Sequence, residues 1–365
     1  MEQEKIEQKI EEIEEQIRSL PYHKGTEHHI GKLKAQLAKL RKQVIGKSQS
    51  GKSGGGGFAV RKQGDATVVL VGFPSVGKST FLNQLTNAES KVGAYPFTTL
   101  DVIPGMLEYR QAKIQIFDVP GLITGASTGK GGGKEILSVV RIADLLLLIA
   151  SAENPETFEI MEQELYSAGV RLNNIRPKIT FEKKLKGGIE ILGNTGLSEA
   201  EIKSIVREFK MPNIKISFQQ KVTQDELIDS LIGNRAYVLA IRVISKSDLI
   251  SLKRKQGIIE KFGQDGLLFI SSKNNIGIEE LKQTIFKKLQ LIRIYLRQSL
   301  TTKPENEPLV CKKGITVIGA AEKISNALAN EIKGAKIKGA SARYPNQIVG
   351  LRHILKDKDQ IFFVK

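Results

Sequence analysis

Apolar residues open the chain in a regular beat: Ile6, Ile10, Ile13, Ile17 and Leu20, then Ile30, Leu33, Leu37, Leu40 and Val44. Alternating spacings of three and four make each set an a/d seam and predict two helices with one apolar stripe apiece. Pro21 and Gly25 break between them, and Thr26 stands where the second helix needs an N-cap. Residues 1–48 are therefore expected to fold as an antiparallel helical hairpin. The first helix is acidic (Glu2, Glu4, Glu7, Glu11, Glu12, Glu14, Glu15) and the second basic, which favours their pairing. Lys32, Lys34, Lys39, Arg41 and Lys42 surround the second seam and are expected mostly on its solvent side.

The beat is lost over 46–57, a stretch rich in Gly, Ser and Lys that reads as a tether, with 49–62 as the linker. Gly51-Lys52-Ser53 has the ending of a phosphate loop, but no apolar strand precedes it and no helix-forming run follows. Short apolar runs then alternate with helix-forming stretches, at 66–71, 114–117, 145–149, 238–244 and 267–270. This is the βαβ pattern of a mostly parallel sheet and predicts an α/β domain. The span before 238 is too long for one crossover. The domain is therefore split into 63–169 and 236–292, with a small α+β domain inserted at 170–235. That insert carries the lysine-rich run 178–186, a strand-like 189–192, and helices over 199–209 and 223–231. The last module, 293–365, offers strands near 294–296, 309–311, 335–340 and 361–364 and one helix over 320–331.

Composition narrows the class. The net charge is +17, and between residues 21 and 62 ten basic residues are opposed only by Glu27, which points to a polyanionic partner such as RNA. The lysines of 178–186 are a second candidate surface. Cys311 is the single cysteine, so no disulfide forms within the chain, and no Cys or His spacing suggests a metal. His28 and His29 are neighbours that diverge on a helix and read as surface residues. The longest apolar run, 143–152, carries Asp144 and falls short of the roughly 20 residues needed to span a bilayer. The chain begins with charged residues and no leader, so a cytoplasmic location is expected.

The chemistry is concentrated in five motifs in order. Gly72, Phe73, Pro74, Ser75, Val76, Gly77, Lys78, Ser79 and Thr80 follow the first sheet strand and match the phosphate-binding loop G-x-x-x-x-G-K-[ST]. Its backbone N–H groups can converge on phosphate oxygens, Lys78 reaches the β and γ phosphates, and the Ser79 hydroxyl coordinates Mg²⁺. Phe97, Thr98 and Thr99 lie where a threonine can close over a nucleotide and add a second hydroxyl to the metal. Asp118 and Gly121 form D-x-x-G, in which the carboxylate holds a Mg²⁺-bound water and the Gly121 amide meets the γ-phosphate. Ser245, Lys246 and Asp248 stand in the place of [N/T]-K-x-D, whose carboxylate accepts from guanine N1–H and the 2-amino group. Ser245 departs from the usual Asn, so a looser loop is expected with guanine choice kept. Ser271, Ser272 and Lys273 resemble the S-A-K loop beside the guanine oxygen.

On these residues the chain resembles the developmentally regulated GTP-binding proteins, a branch of the Obg-like GTPases, in an archaeal form. Further resemblance lies in Leu100, in Ile103-Pro-Gly105, in Gly233-Asn-Arg235 and in the stretches 26–35 and 349–355, and it covers nearly the whole chain. It implies a P-loop GTPase domain, an insert similar to a ribosomal-protein fold, and a C-terminal β-grasp module of the TGS kind at 293–365 that serves for docking. It also implies Mg²⁺-dependent hydrolysis of GTP in a ribosome-associated translation factor, with Lys78, Thr99 and Gly121 catalytic. Ser79, Thr99 and, through water, Asp118 would hold the metal. Thr99 is chosen over Thr98 because the second threonine faces the metal in the motif it resembles. The partners implied are GTP or GDP, the ribosome or its RNA, and a protein partner through the TGS module or the hairpin. A ribosome-assembly GTPase and a non-hydrolysing GTP-binding scaffold stay open. Leu122 stands where many GTPases have a water-orienting Gln, which predicts slow intrinsic hydrolysis. The glycine-rich run 125–134, with Lys130 and Lys134, is expected to be mobile. Related GTPases hold K⁺ with an Asn of the phosphate loop; Ser75 has that place, and potassium is left open.

Overall fold

The computed structural model describes residues 2–21, 25–47, 64–86, 103–119, 132–299, 301 and 304–365. The chain divides into two compact units, 1–58 with 122–141 and 159–238, and 59–121 with 142–158 and 239–365. None of the helices searched is long and apolar enough to cross a membrane, among the described residues.

The second unit is built on a sheet in the order Leu267–Phe269, Ala236–Ser245, Leu145–Ser151, Ala66–Val71, Ala112–Asp118, Ile103–Tyr109. All pairs are parallel except the last, where Ile103–Tyr109 runs antiparallel as an edge strand. Ala66–Val71 and Leu145–Ser151 are buried at every position, as expected of central strands covered on both faces. Helices Lys78–Thr86 and Ile278–Lys288 pack Phe81, Leu82, Leu85, Leu281 and Ile285 into the same core. Because the central strands are parallel, their carboxyl ends gather on one edge, where the loops 72–77, 119, 246–248 and 270–275 emerge.

The C-terminal module of this unit is a five-stranded sheet in the order Leu309–Lys312, Leu291–Leu296, Asp359–Val364, Gly334–Lys338, Gln347–Val349. Where one helix was expected over 320–331, there are two, Val317–Ile324 and Asn326–Glu331. Ser325 is the reason: its backbone is extended (φ −165°, ψ 148°), its N–H closes the first helix on Ala321 and its hydroxyl accepts from Leu328 N to start the second. Asp144 ties the module to the main sheet, accepting from Thr67 N at 2.9 Å and from Lys312 Nζ at 2.7 Å. Cys311 is buried, which pushes its thiol up to about 11 and keeps it unreactive.

The first unit joins the N-terminal helices to the insert. Glu2–Ser19 and Glu27–Lys47 form the hairpin, with Ile13, Ile30 and Leu33 buried. The second helix runs through Gly46 and Lys47, two residues into the stretch read as tether. Thr26 Oγ1 donates to Pro21 O at 2.6 Å, which binds the turn. The insert has a three-stranded sheet, Ile179–Lys183, Ile214–Phe218 and Ile189–Leu192, backed by helices Glu199–Glu208 and Gln224–Ile232, each started by a capping box at Ser198 and Thr223. The strand Ile214–Phe218 was not foreseen. The helix Gly132–Ile142 takes in the last three residues of the glycine-rich run. His28 and His29 are exposed.

The basic face of the second helix is only partly on the solvent side: Lys32 and Lys42 are exposed, whereas Lys34, Lys39 and Arg41 are half-buried. Ala35 and Ala38 are buried against Ile202, Ile205 and Leu227, so the helix is packed along two faces. The five basic residues all find partners within the unit: Lys32 with Glu208, Lys34 with Asp225, Arg41 with Glu14, Lys39 with Glu208 O and Lys42 with Ile232 O. Glu208 and Ile232 are the last residues of the two insert helices, so Lys39 and Lys42 satisfy carbonyls at the negative ends of both helix dipoles. Small residues at 35 and 38 let the backbones approach, a signal masked in the sequence by the stronger seam. Replacing Lys39 and Lys42 together by Ala is expected to lower the thermal midpoint of this unit by a few degrees, at about 1 kcal/mol per charged hydrogen bond. An unchanged midpoint in scanning calorimetry would refute the capping role.

Candidate nucleotide site

The phosphate loop leaves Val71 and turns back onto its own strand. Gly72 is required by space, since a Cβ there would lie 2.7 Å from Ile149 O; Gly77 is required by conformation, with φ +91°. Ser75 is also left-handed, φ 64°, and it and Pro74 are exposed at the tip. Phe73 anchors the loop by packing on the main core, and Val76 is buried. Lys78 is folded into the loop, its Nζ donating to Gly72 O at 2.9 Å and Phe73 O at 3.0 Å. Burial lowers its pKa, and the nearby Asp118 works against that shift.

Asp118 ends its strand in register with Leu70, which sets its carboxylate at the start of helix Lys78–Thr86. Its Oδ2 accepts from Ser79 Oγ at 2.8 Å. Its Oδ1 is buried without a partner among the described residues, and the residue is 1% exposed. A buried, unsatisfied carboxylate oxygen beside an exposed hydroxyl is a place for a hard cation with its own water shell, so these residues fit Mg²⁺. Ser79 and Thr80 are both exposed at the mouth of the loop.

The base-reading side departs from expectation at Ser245. Instead of loosening the loop, the buried Ser245 hydroxyl lies 2.8 Å from Val76 O and 3.2 Å from Ala150 O, fastening the phosphate loop to the end of the neighbouring strand. Lys246 takes the left-handed conformation (φ 55°), which turns the chain so that Asp248 is exposed. Ser271 is fully buried and donates to Asp248 Oδ1 at 2.5 Å, holding that carboxyl below its usual pKa. Ser272 is half-buried and Lys273 exposed. The sequence reading missed Gln84: its Nε2 donates to Ser272 O at 3.1 Å and Asn275 Oδ1 at 2.9 Å, tying the helix of the phosphate loop to the loop after Phe269. The only sequence signal was its place on that helix, on the turn after Ser79 and Thr80. Phe97, Thr98, Thr99, Gly121 and Leu122 lie outside the described residues.

The Asp248–Ser271 bond has a pH consequence. A carboxylate accepts from two guanine donors only when ionised, and its depressed pKa keeps it ionised until the pH falls through that lowered value. Ser271→Ala should let the pKa climb back, so guanine-nucleotide binding should begin to fail at higher pH than in the parent. Overlapping acid limbs in GDP titrations of the two proteins would count against this reading.

The split parallel sheet, with the loops that carry Lys78, Asp118, Asp248 and Ser271 on one edge, defines a G domain. A sequence model described as 50S ribosome-binding GTPase matches residues 67–183, one for the C-terminal region of that domain matches 186–291, and one for the TGS domain matches 292–365. A GTP-binding protein of Methanocaldococcus jannaschii is 43% identical over 98% of this chain and 93% of its own length. One from Halobacterium salinarum is 43% identical over 97% of both. Human developmentally-regulated GTP-binding protein 2 is 38% identical over 98% of this chain and 99% of its own. The chain belongs to the family of developmentally regulated GTP-binding proteins.

Proposed function

We propose that this chain binds GTP and hydrolyses it to GDP and phosphate with Mg²⁺, and that it works in the cytoplasm as a ribosome-associated translation factor. The observation that carries the enzymatic part is the orphaned, buried Asp118 Oδ1 beside Ser79 at the mouth of the Lys78 loop. Ser79 and, through water, Asp118 would hold the metal with Thr99, and when bound it neutralises phosphate charge. Lys78, placed over the loop carbonyls, supplies a charge to the phosphates, and the Gly121 amide one donor. Phe73 to Gly77 and Thr80 shape the cradle, with Phe97 and Thr98 beside Thr99. Asp248 reads guanine, Ser245, Lys246 and Ser271 to Lys273 frame the base, and Gln84 steadies that frame. The domain scheme is a GTPase domain at 63–169 and 236–292, with the hairpin, the insert at 170–235 and the TGS module as candidates for meeting RNA or protein.

Ribosome association is supported by the description of the matching domain model and by the net charge of +17. A multiple-turnover phosphate-release assay with GTP and with ATP, with Mg²⁺ and with EDTA, tests the enzymatic part. Release from GTP that requires Mg²⁺ supports it. GTP bound without any turnover, on or off ribosomes, would leave the scaffold that Leu122 suggests.

A further inference from the structure

Away from the nucleotide site, Gly233-Asn-Arg235 has no role in the scheme above. Helix Gln224–Ile232 closes at Gly233 in the left-handed conformation (φ 73°), and Arg235 follows immediately before Ala236–Ser245. The first residues of that strand pair in parallel with Val170–Leu172, which brings Arg171 to the same turn. Asp229 receives both arginines: Arg171 Nε at 2.6 Å and Nη2 at 2.7 Å, and Arg235 Nε at 2.7 Å. All three side chains are only 5–6% exposed.

Two buried guanidinium groups share one carboxylate, so the cluster holds an uncompensated positive charge. Arg171 is otherwise satisfied, since Nη1 donates to Tyr166 O and Val170 O and its guanidinium stacks 3.7 Å from the Tyr166 ring centroid. Arg235 is not. Its hydrogen bonding to the described residues stops at Nε, and the residue lines a cavity of about 260 Å³. Lys34, Arg41, Arg171 and Arg235 line that cavity; Lys34 pairs with Asp225 and Arg41 with Glu14, and the two remaining arginines share Asp229, which leaves one cation in excess. A buried charge without full compensation is costly. The planar fork of a guanidinium is matched by the paired oxygens of an oxyanion.

We propose that this cavity binds a small phosphate-type oxyanion, with Arg235 as its principal ligand and Lys34 at the rim. The test is a titration of the protein loaded with Mg²⁺ and a non-hydrolysable GTP analogue with inorganic phosphate by calorimetry, at constant ionic strength with chloride as the control. The analogue fills the γ-phosphate position as well, which keeps uptake there from being mistaken for this site. Saturable binding of one phosphate is expected, weakened at least tenfold by Arg235→Met and about threefold by Lys34→Met. Lys34 is half-exposed, so that variant decides the matter if Arg235→Met fails to fold. No phosphate uptake by the loaded parent at millimolar concentration overturns the site, as does parental affinity in both variants.

Discussion

Lys78→Ala is expected to lower multiple-turnover phosphate release from GTP by roughly 10²–10³-fold, the usual cost of removing one positioned stabiliser of transition-state charge. Lys78 is a buried cation whose Nζ rests on Gly72 O and Phe73 O, so its charge is held at the loop before any nucleotide arrives. The alanine leaves those carbonyls and the left-handed Gly77 in place, and the Ser245 tether to Val76 O does not involve Lys78. The domain should therefore fold, which circular dichroism checks independently of turnover. Parental turnover in this variant would show that phosphate does not sit in this loop.

Asp248→Asn is expected to cut the preference for GTP over ATP by roughly 100-fold, mostly through weaker GTP binding. A carboxylate accepts from both N1–H and the 2-amino group of guanine; a carboxamide offers one acceptor and sets an N–H against a donor. Ser271 can still donate to the remaining oxygen, so the loop geometry should survive and the loss should be one of recognition. Competition binding with GTP, GDP and ATP measures it. A parent that binds ATP as well as GTP would end the guanine assignment before any variant is made.

The docked second helix changes where RNA contacts are to be sought. Lys32, Lys34, Lys39, Arg41 and Lys42 were the leading basic surface in the sequence, and each is engaged with an acid or a helix-end carbonyl within its own unit. The insert leaves its lysine-rich turn more open: Lys183 and Lys186 are exposed and Leu185 is fully so, while Lys184 pairs with Glu190. That turn is the better place to look for phosphate contacts, whose number sets the salt dependence of binding.

The amino-acid sequence by itself determined the class of fold and the strand–turn–helix that holds Lys78. These are local: an apolar strand followed by a glycine-rich turn and a helix has one productive geometry, and Lys78, Ser79 and Asp118 must gather at strand ends once the sheet is parallel. It determined the two hairpin helices too, because a seam repeating every three or four residues leaves a helix little choice of face. What only the tertiary structure decided are pairings between residues far apart in sequence. Ser245 was read as a weakened Asn, whereas its hydroxyl finds Val76 O, 169 positions away. Gln84 is tied to the loop after Phe269 through Ser272, 188 positions on. Arg171, Asp229 and Arg235 form one buried cluster because the short strand Val170–Leu172 pairs with the start of Ala236–Ser245, which no spacing announces. The basic stripe of the second helix looked solvated because lysine is usually exposed. Three of its residues meet distant carboxylates, and Lys39 and Lys42 meet helix-end carbonyls, which every helix has and no side-chain pattern records.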